Sequence, residues 1–158
     1  MDTIIDEHTI VIKRQFSAPV DRVYNAWTDP TMLAQWFSPN IRWNNPLVEN
    51  ELKPGGRRSI TMRHSDGDQM QITGTYLELV PNERLSFTSI FHGGPAGSDE
   101  STVTIELRSA PGGTELTLTH DRQTDPAAKE GASAGWAGCL EMLESYLAGN
   151  SPLGKHVP

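Results

Sequence analysis

The chain predicts an α+β fold: a strongly curved antiparallel sheet closed by one long C-terminal helix. Three observations predict it. Residues 16–37 carry two successive helix starts, each marked by a proline. Residues 45–120 then alternate apolar and polar side chains in short runs separated by turn signals. Only residues 125–147 hold an apolar pattern long enough to lie across such a sheet.

Residues 8–16 open the fold as a half-buried strand, with Ile10, Ile12 and Phe16 on one side and Thr9, Val11, Lys13 and Gln15 on the other. Pro19 suits a first helical turn, because its missing N–H would be unpaired there. Ser17 or Ala18 is the expected cap, and Asp21 places a negative charge in the first turn. Val20, Val23, Tyr24 and Trp27 recur at helical spacing. Asp29-Pro30 repeats the cap-and-proline signal, and Leu33, Trp36 and Phe37 form the next apolar stripe.

A weaker strand is expected over residues 45–52, followed by a Pro54-Gly55-Gly56 turn. Residues 57–64 and 70–80 read as a hairpin, and residues 84–92 as a strand with Leu85, Phe87 and Phe91 on one face. A glycine-rich hairpin loop at 93–97 leads to residues 100–108, with Val103, Ile105 and Leu107 inward. Residues 114–120 follow, with Leu116 and Leu118 inward. Asp125 caps the last helix, Pro126 starts it, and Gly149-Asn150 stops it. The predicted order is β-αα-ββββββ-α in a single domain over residues 1–158, with its core at 8–148 and a loose tail at 151–158.

With 13 basic and 20 acidic residues the net charge is −7, which argues against nucleic-acid or anionic-membrane binding. The single cysteine, Cys139, excludes an internal disulfide and any multi-cysteine metal site. The acidic start, Met1 to Glu7, lacks the layout of a signal peptide, and no apolar run approaches the length of a membrane span. A cytoplasmic protein is the expectation.

On the last helix, Trp136, Leu140, Leu143 and Leu147 line one edge of a wide apolar arc. Gly131, Gly135, Gly138, Met142 and Tyr146 line the other, and Ala128, Ala132 and Cys139 lie between them. Each interior glycine costs about 1 kcal/mol of helix stability relative to alanine. Two explanations stand: close approach of the helix to its neighbours, or an internal cavity beneath the small residues.

Several motifs tempt and fail. Gly131-Ala-Ser-Ala-Gly135 matches a nucleophile pattern, but no strand precedes it and Ser133 falls toward the exposed side. The histidines His8, His64, His92, His120 and His156 show no metal-ligand spacing. His120 extends the inward Leu116/Leu118 face, so a ligand contact or general base is conceivable there. Arg14 shares register with Ile10, Ile12 and Phe16, and an ion pair at the strand end is expected. Residues 93–97 lack the lysine and following helix of a phosphate loop. Trp27, Trp36, Trp43 and Trp136 suit core or rim positions equally.

Phe16-x-Ala-Pro19, Val23-x-x-Ala-Trp27-Thr-Asp-Pro30, Leu33-x-x-Trp36, Pro54-Gly-Gly56, Gly74-x-Tyr76 and Pro81-x-Glu-Arg-Leu85 follow one another. The run Gly-Gly-Thr-Glu-Leu-Thr-Leu-Thr-His at 112–120 comes next, then Gly135-Trp136 with Leu140 and Leu143. This series resembles the bacterial homologues of the C-terminal domain of the heat-shock-protein-90 ATPase activator, in the START-like SRPBCC superfamily. The resemblance implies the helix-grip fold, with a hydrophobic cavity between sheet and long helix. It also implies binding of lipids, sterols or polyketides, and in some members cyclase or hydrolase chemistry. The chain has no room for the activator's separate N-terminal domain, and no catalytic residue transfers.

Three functions are therefore weighed. The first is a binding module for an apolar small molecule, without cofactor or metal. Its expected lining is Ile12, Phe87, Phe91, Val103, Ile105, Leu118, His120, Ala128, Ala132, Gly135, Trp136, Cys139 and Leu143. The second is a cyclase- or hydrolase-like enzyme using His120 and Arg14 in the same cavity. The third is a protein-interaction role, with a chaperone or a second copy as partner, presented through an apolar patch near Phe37 and Trp43.

Overall fold

The computed structural model describes residues 2–5, 9–92, 100–121 and 126–150, with side chains over 9–92, 100–121 and 133–150. The expected Asp125 cap, the 93–97 loop, the 151–158 tail, His8 and His156 lie outside the described residues.

Eight strands and three helices follow in order: β1 (Asp2–Ile5), β2 (Thr9–Phe16), α1 (Val20–Thr28), α2 (Pro30–Trp36), β3 (Trp43–Asn50), β4 (Arg57–His64), β5 (Gln69–Val80), β6 (Arg84–His92), β7 (Ser101–Ala110), β8 (Gly113–Asp121) and α3 (Pro126–Leu147). The strands form one curved antiparallel sheet in the order β1-β2-β8-β7-β6-β5-β4-β3. This is the predicted arrangement with one addition. The short edge strand β1, which lies in the acidic N-terminal start, pairs with β2 in the register Ile5↔Ile10.

The first and last long strands meet, with Ile12 opposite Leu118 and Phe16 opposite Thr114. The meander from β3 to β7 completes the sheet by nearest-neighbour pairing. Inward residues of six strands, among them Ile12, Ile60, Ile72, Phe87, Ile105 and Leu118, are buried together with Trp27, Leu33, Trp36, Leu140 and Leu143 of the helices.

Most strand ends fall within a residue of expectation, and two element starts differ in ways the hydrogen bonds explain. Helix α1 begins at Val20, with Pro19 itself as cap in an extended conformation. The Pro19 carbonyl accepts from Arg22 N and Val23 N, so neither Ser17 nor Ala18 caps. Strand β3 runs over Trp43–Asn50 rather than 45–52, because Glu51 already turns, its N–H donating to Arg57 O. Pro46 lies inside β3 and the register breaks between Asn44 and Leu47. A sheet edge tolerates both.

The helices are tied at their ends, where backbone groups lack intrahelical partners. Asp29 caps α2 by accepting from Thr31 N and Met32 N. Asn45 of β3 donates to Ala34 O and Phe37 O, and Asn50 donates to Thr28 O, so one strand satisfies the C-terminal carbonyls of both short helices. Arg22 of α1 donates from Nη1 to Leu147 O at the end of α3. Gly149, with φ 96, completes that terminus in the left-handed region that favours glycine.

Candidate functional site

Strand β4 alternates so that Arg58, Ile60 and Met62 all point inward while Arg57 and Arg63 face out. A guanidinium is thereby carried into the interior, and Arg58 is only 1% exposed. Its charged plane lies 4.0 Å from the centroid of the Phe87 ring and 5.5 Å from that of Phe37. Such stacking recovers roughly 2 kcal/mol in a desolvated site, well short of the cost of burying the charge. Burial holds the Arg58 pKa below its usual value, opposed by the nearby hydroxyl of Tyr76 and thiol of Cys139. Nε and Nη2 of Arg58 have no hydrogen-bond partner.

Tyr76 reaches the same region from β5. It pairs with Phe87 across the ladder, with ring centroids 6.0 Å apart. Its hydroxyl is buried beside the Arg58 guanidinium without a hydrogen bond of ordinary geometry; burial pushes its pKa up, and the neighbouring cation opposes that. Cys139 approaches from α3. Burial pushes its thiol up to about 12, so it stays protonated. Trp27 Nε1, on α1, is a further buried donor without a partner.

A second polar feature joins sheet to helix. Trp136 Nε1 donates to His120 Nδ1 at 2.9 Å, and His120 Nε2 lies 2.7 Å from Ser101 Oγ. Because Nδ1 accepts, Nε2 carries the proton and donates to Ser101, whose hydroxyl passes the bond to Ser89 O at 3.3 Å. Burial lowers the His120 pKa to about 4, so the imidazole is neutral near pH 7. Trp136 also meets Trp27 at 6.1 Å and Phe37 at 6.0 Å, and Trp27 meets Trp36 at 4.9 Å.

Of the residues expected to line a cavity, Ile12, Phe87, Val103, Ile105, Leu118, His120, Trp136, Cys139 and Leu143 are buried, and Phe91 is partly buried. A Cβ at Gly135 would meet nothing within 4 Å. The side chains of Ala128 and Ala132 lie outside the described residues. The glycines of α3 divide the two explanations raised for them. At Gly138 a Cβ would stand 2.1 Å from Pro39 O, so close approach accounts for Gly138, whereas Gly135 faces open space.

The residues named for enzymatic chemistry do not converge. Arg14 pairs with Glu144 and, at 3.9 Å, with Glu141 on α3. Ile10 is opposite His120 and Arg14 opposite Leu116, so the two lie four rungs apart, about 13 Å along the ladder. Ser133 sits within the continuous α3, not on a strand-to-helix turn. Phe37 is buried against Trp36 and Trp136 rather than exposed. Trp43 packs edge-on against His64. Sequence reasoning missed Arg58 and Tyr76. The signal for Arg58 was present in its alternation with Ile60 and Met62. Among the described residues no group of three His, Cys, Asp or Glu side chains could hold a metal ion, and no helix is long and apolar enough to cross a membrane.

The profile of the family described as activator of Hsp90 ATPase homolog 1-like protein matches residues 17–148. The chain belongs to that family. Protein CV1439 from Chromobacterium violaceum is 30% identical, with a TM-score of 0.78 over 88% of this chain and 96% of its own. Protein NE0264 from Nitrosomonas europaea is 29% identical, with a TM-score of 0.78, covering 92% and 98%. A protein from Rhizobium leguminosarum is 30% identical, with a TM-score of 0.76, covering 90% and 95%. The shared architecture is the helix-grip fold. No curated protein matches the chain.

Proposed function

We propose that this family member is a small-molecule-binding module whose ligand, an apolar body with a polar head, sits between the curved sheet and α3. One observation carries the reading. Arg58 Nε and Nη2, Tyr76 Oη and Trp27 Nε1 are buried without partners. Each buried unsatisfied group costs about 1–3 kcal/mol, more when charged, and native interiors leave few of them. A ligand that supplies acceptors relieves that cost, whereas a purely structural core gains nothing from these donors. The aromatic side chains of Phe37, Phe87 and Trp136 supply apolar surroundings.

The test is thermal denaturation against a panel of alkyl and aromatic compounds. Ligand at a hundredfold excess over Kd should stabilise the fold by about 2.7 kcal/mol. Gly135→Leu should fold and lose that response, because its side chain would enter open space. Failure of every compound to raise the melting temperature refutes the reading.

A further inference from the structure

From the charge and edge geometry of Arg58 we infer that the ligand is a monocarboxylate, its carboxylate held side-on by Arg58 and its apolar body lying among the neighbouring aromatics. The inference rests on the ligand-binding reading and adds the sign of the head group.

The two nitrogens without partners, Nε and Nη2, are not an arbitrary pair. They share one edge of the planar guanidinium and point their N–H bonds in parallel. That edge matches the two oxygens of a carboxylate, the bidentate arrangement that makes such pairs strong and directional. The flat face of the same group is occupied by the Phe87 ring at 4.0 Å, which fixes the plane in which the edge is presented. The interior therefore presents a preset fork of parallel N–H donors.

Among the described residues no carboxylate reaches the guanidinium: the arginine–carboxylate pairs there are those of Arg14, Arg84 and Arg108, and none involves Arg58. The two acidic groups that influence it, Tyr76 and Cys139, are both pushed toward their protonated forms by burial. A buried cation with no counter-charge calls for one from outside. The Tyr76 hydroxyl stands beside Arg58 with no hydrogen bond of ordinary geometry, so its proton can be donated to a carboxylate held there. One positive charge with one neutral donor suits a monoanion.

The experiment is calorimetric titration of the full chain at pH 8 with matched pairs: decanoate against decanol, and 2-naphthoate against 2-naphthalenemethanol. The acids should bind at least about tenfold tighter than their alcohols, as expected for charge-assisted hydrogen bonds in a buried site. Arg58→Met should abolish that preference, and Arg58→Lys should keep part of it as a point charge without the fork. Tyr76→Phe should reduce it by a smaller factor, and it tests the site even if Arg58→Met does not fold. Equal binding of acids and alcohols overturns the inference and leaves the binding module standing. Acid preference that survives in Arg58→Met also overturns it. Binding of neither member of any pair overturns both readings.

Discussion

Alanine at Gly135 and at Gly138 should move stability in opposite directions, although the two positions are three residues apart on one helix. The intrinsic gain is the same at each, about 1 kcal/mol from lower backbone entropy in the unfolded chain. At Gly135 no atom beyond its chain neighbours and the helix's own backbone lies within 4 Å of the added Cβ. Gly135→Ala should therefore keep most of the gain, and the melting temperature should rise by about 2–4 °C for a chain of this size. At Gly138 the Cβ would lie 2.1 Å from Pro39 O, 2.9 Å from Pro39 C and 3.1 Å from Pro39 Cα. These are backbone atoms and cannot swing aside, so helix and loop must part by about 1 Å. Overpacking costs about 1–3 kcal/mol, and a clash with rigid backbone at 2.1 Å falls in the upper part of that range, about 2–3 kcal/mol, which outweighs the propensity gain. Gly138→Ala should lose about 1–2 kcal/mol, a fall of roughly 2–8 °C. Thermal melts followed by far-ultraviolet circular dichroism decide it. A Gly138→Ala variant as stable as the parent, or a Gly135→Ala variant that melts lower, would refute the assignment of close packing to one glycine and open space to the other.

Three further outcomes are expected. Burial lowers the His120 pKa in the folded chain to about 4, from about 6.5 for an exposed imidazole. The unfolded chain therefore binds the extra proton first, and stability should fall as pH drops from 6.5 to 4, by up to about 3 kcal/mol; denaturant melts across that window should show the loss, and His120→Gln should flatten it. Trp136→Phe keeps an aromatic ring but removes the Nε1 bond to His120 Nδ1, costing about 1–3 kcal/mol, whereas Trp136→Ala should cost about 3–5 kcal/mol in the same melts. Asp29→Ala removes the acceptor of two α2 N–H groups and should cost about 1 kcal/mol by urea denaturation.

The architecture was legible because its signals are local. Asp29-Pro30 starts α2 where a capping aspartate and first-turn proline must act, and alternation placed Ile12, Phe87, Ile105 and Leu118 inward. Strand β1 was not legible, since four residues are too few to show a period and the strand exists through pairing with β2. The role of His120 was half legible. Its position on the inward face followed from Leu116 and Leu118, but its bonds to Trp136 and Ser101 depend on elements distant in sequence. Arg58 shows the opposite failure. Its alternation with Ile60 and Met62 was plain, yet an arginine in an inward register is readily taken for a strand end. Only the packed structure shows that Phe87 and Phe37 flank it and that no carboxylate arrives.

The irregularity at Pro46 bears on how copies of this protein meet one another. Strand β3 ends the sheet on its side, and Ile41 and Leu47 are exposed close to it, at 74% and 52%. An open strand edge with apolar side chains is a template on which another chain's strand can add. Pro46 has no N–H to offer, and the register break between Asn44 and Leu47 spoils the spacing of the groups beside it. A strand approaching from outside would lose a rung midway and could not zip along the full edge. The proline thus acts as a guard against self-templated aggregation, on the side of the sheet where greasy side chains would otherwise invite it.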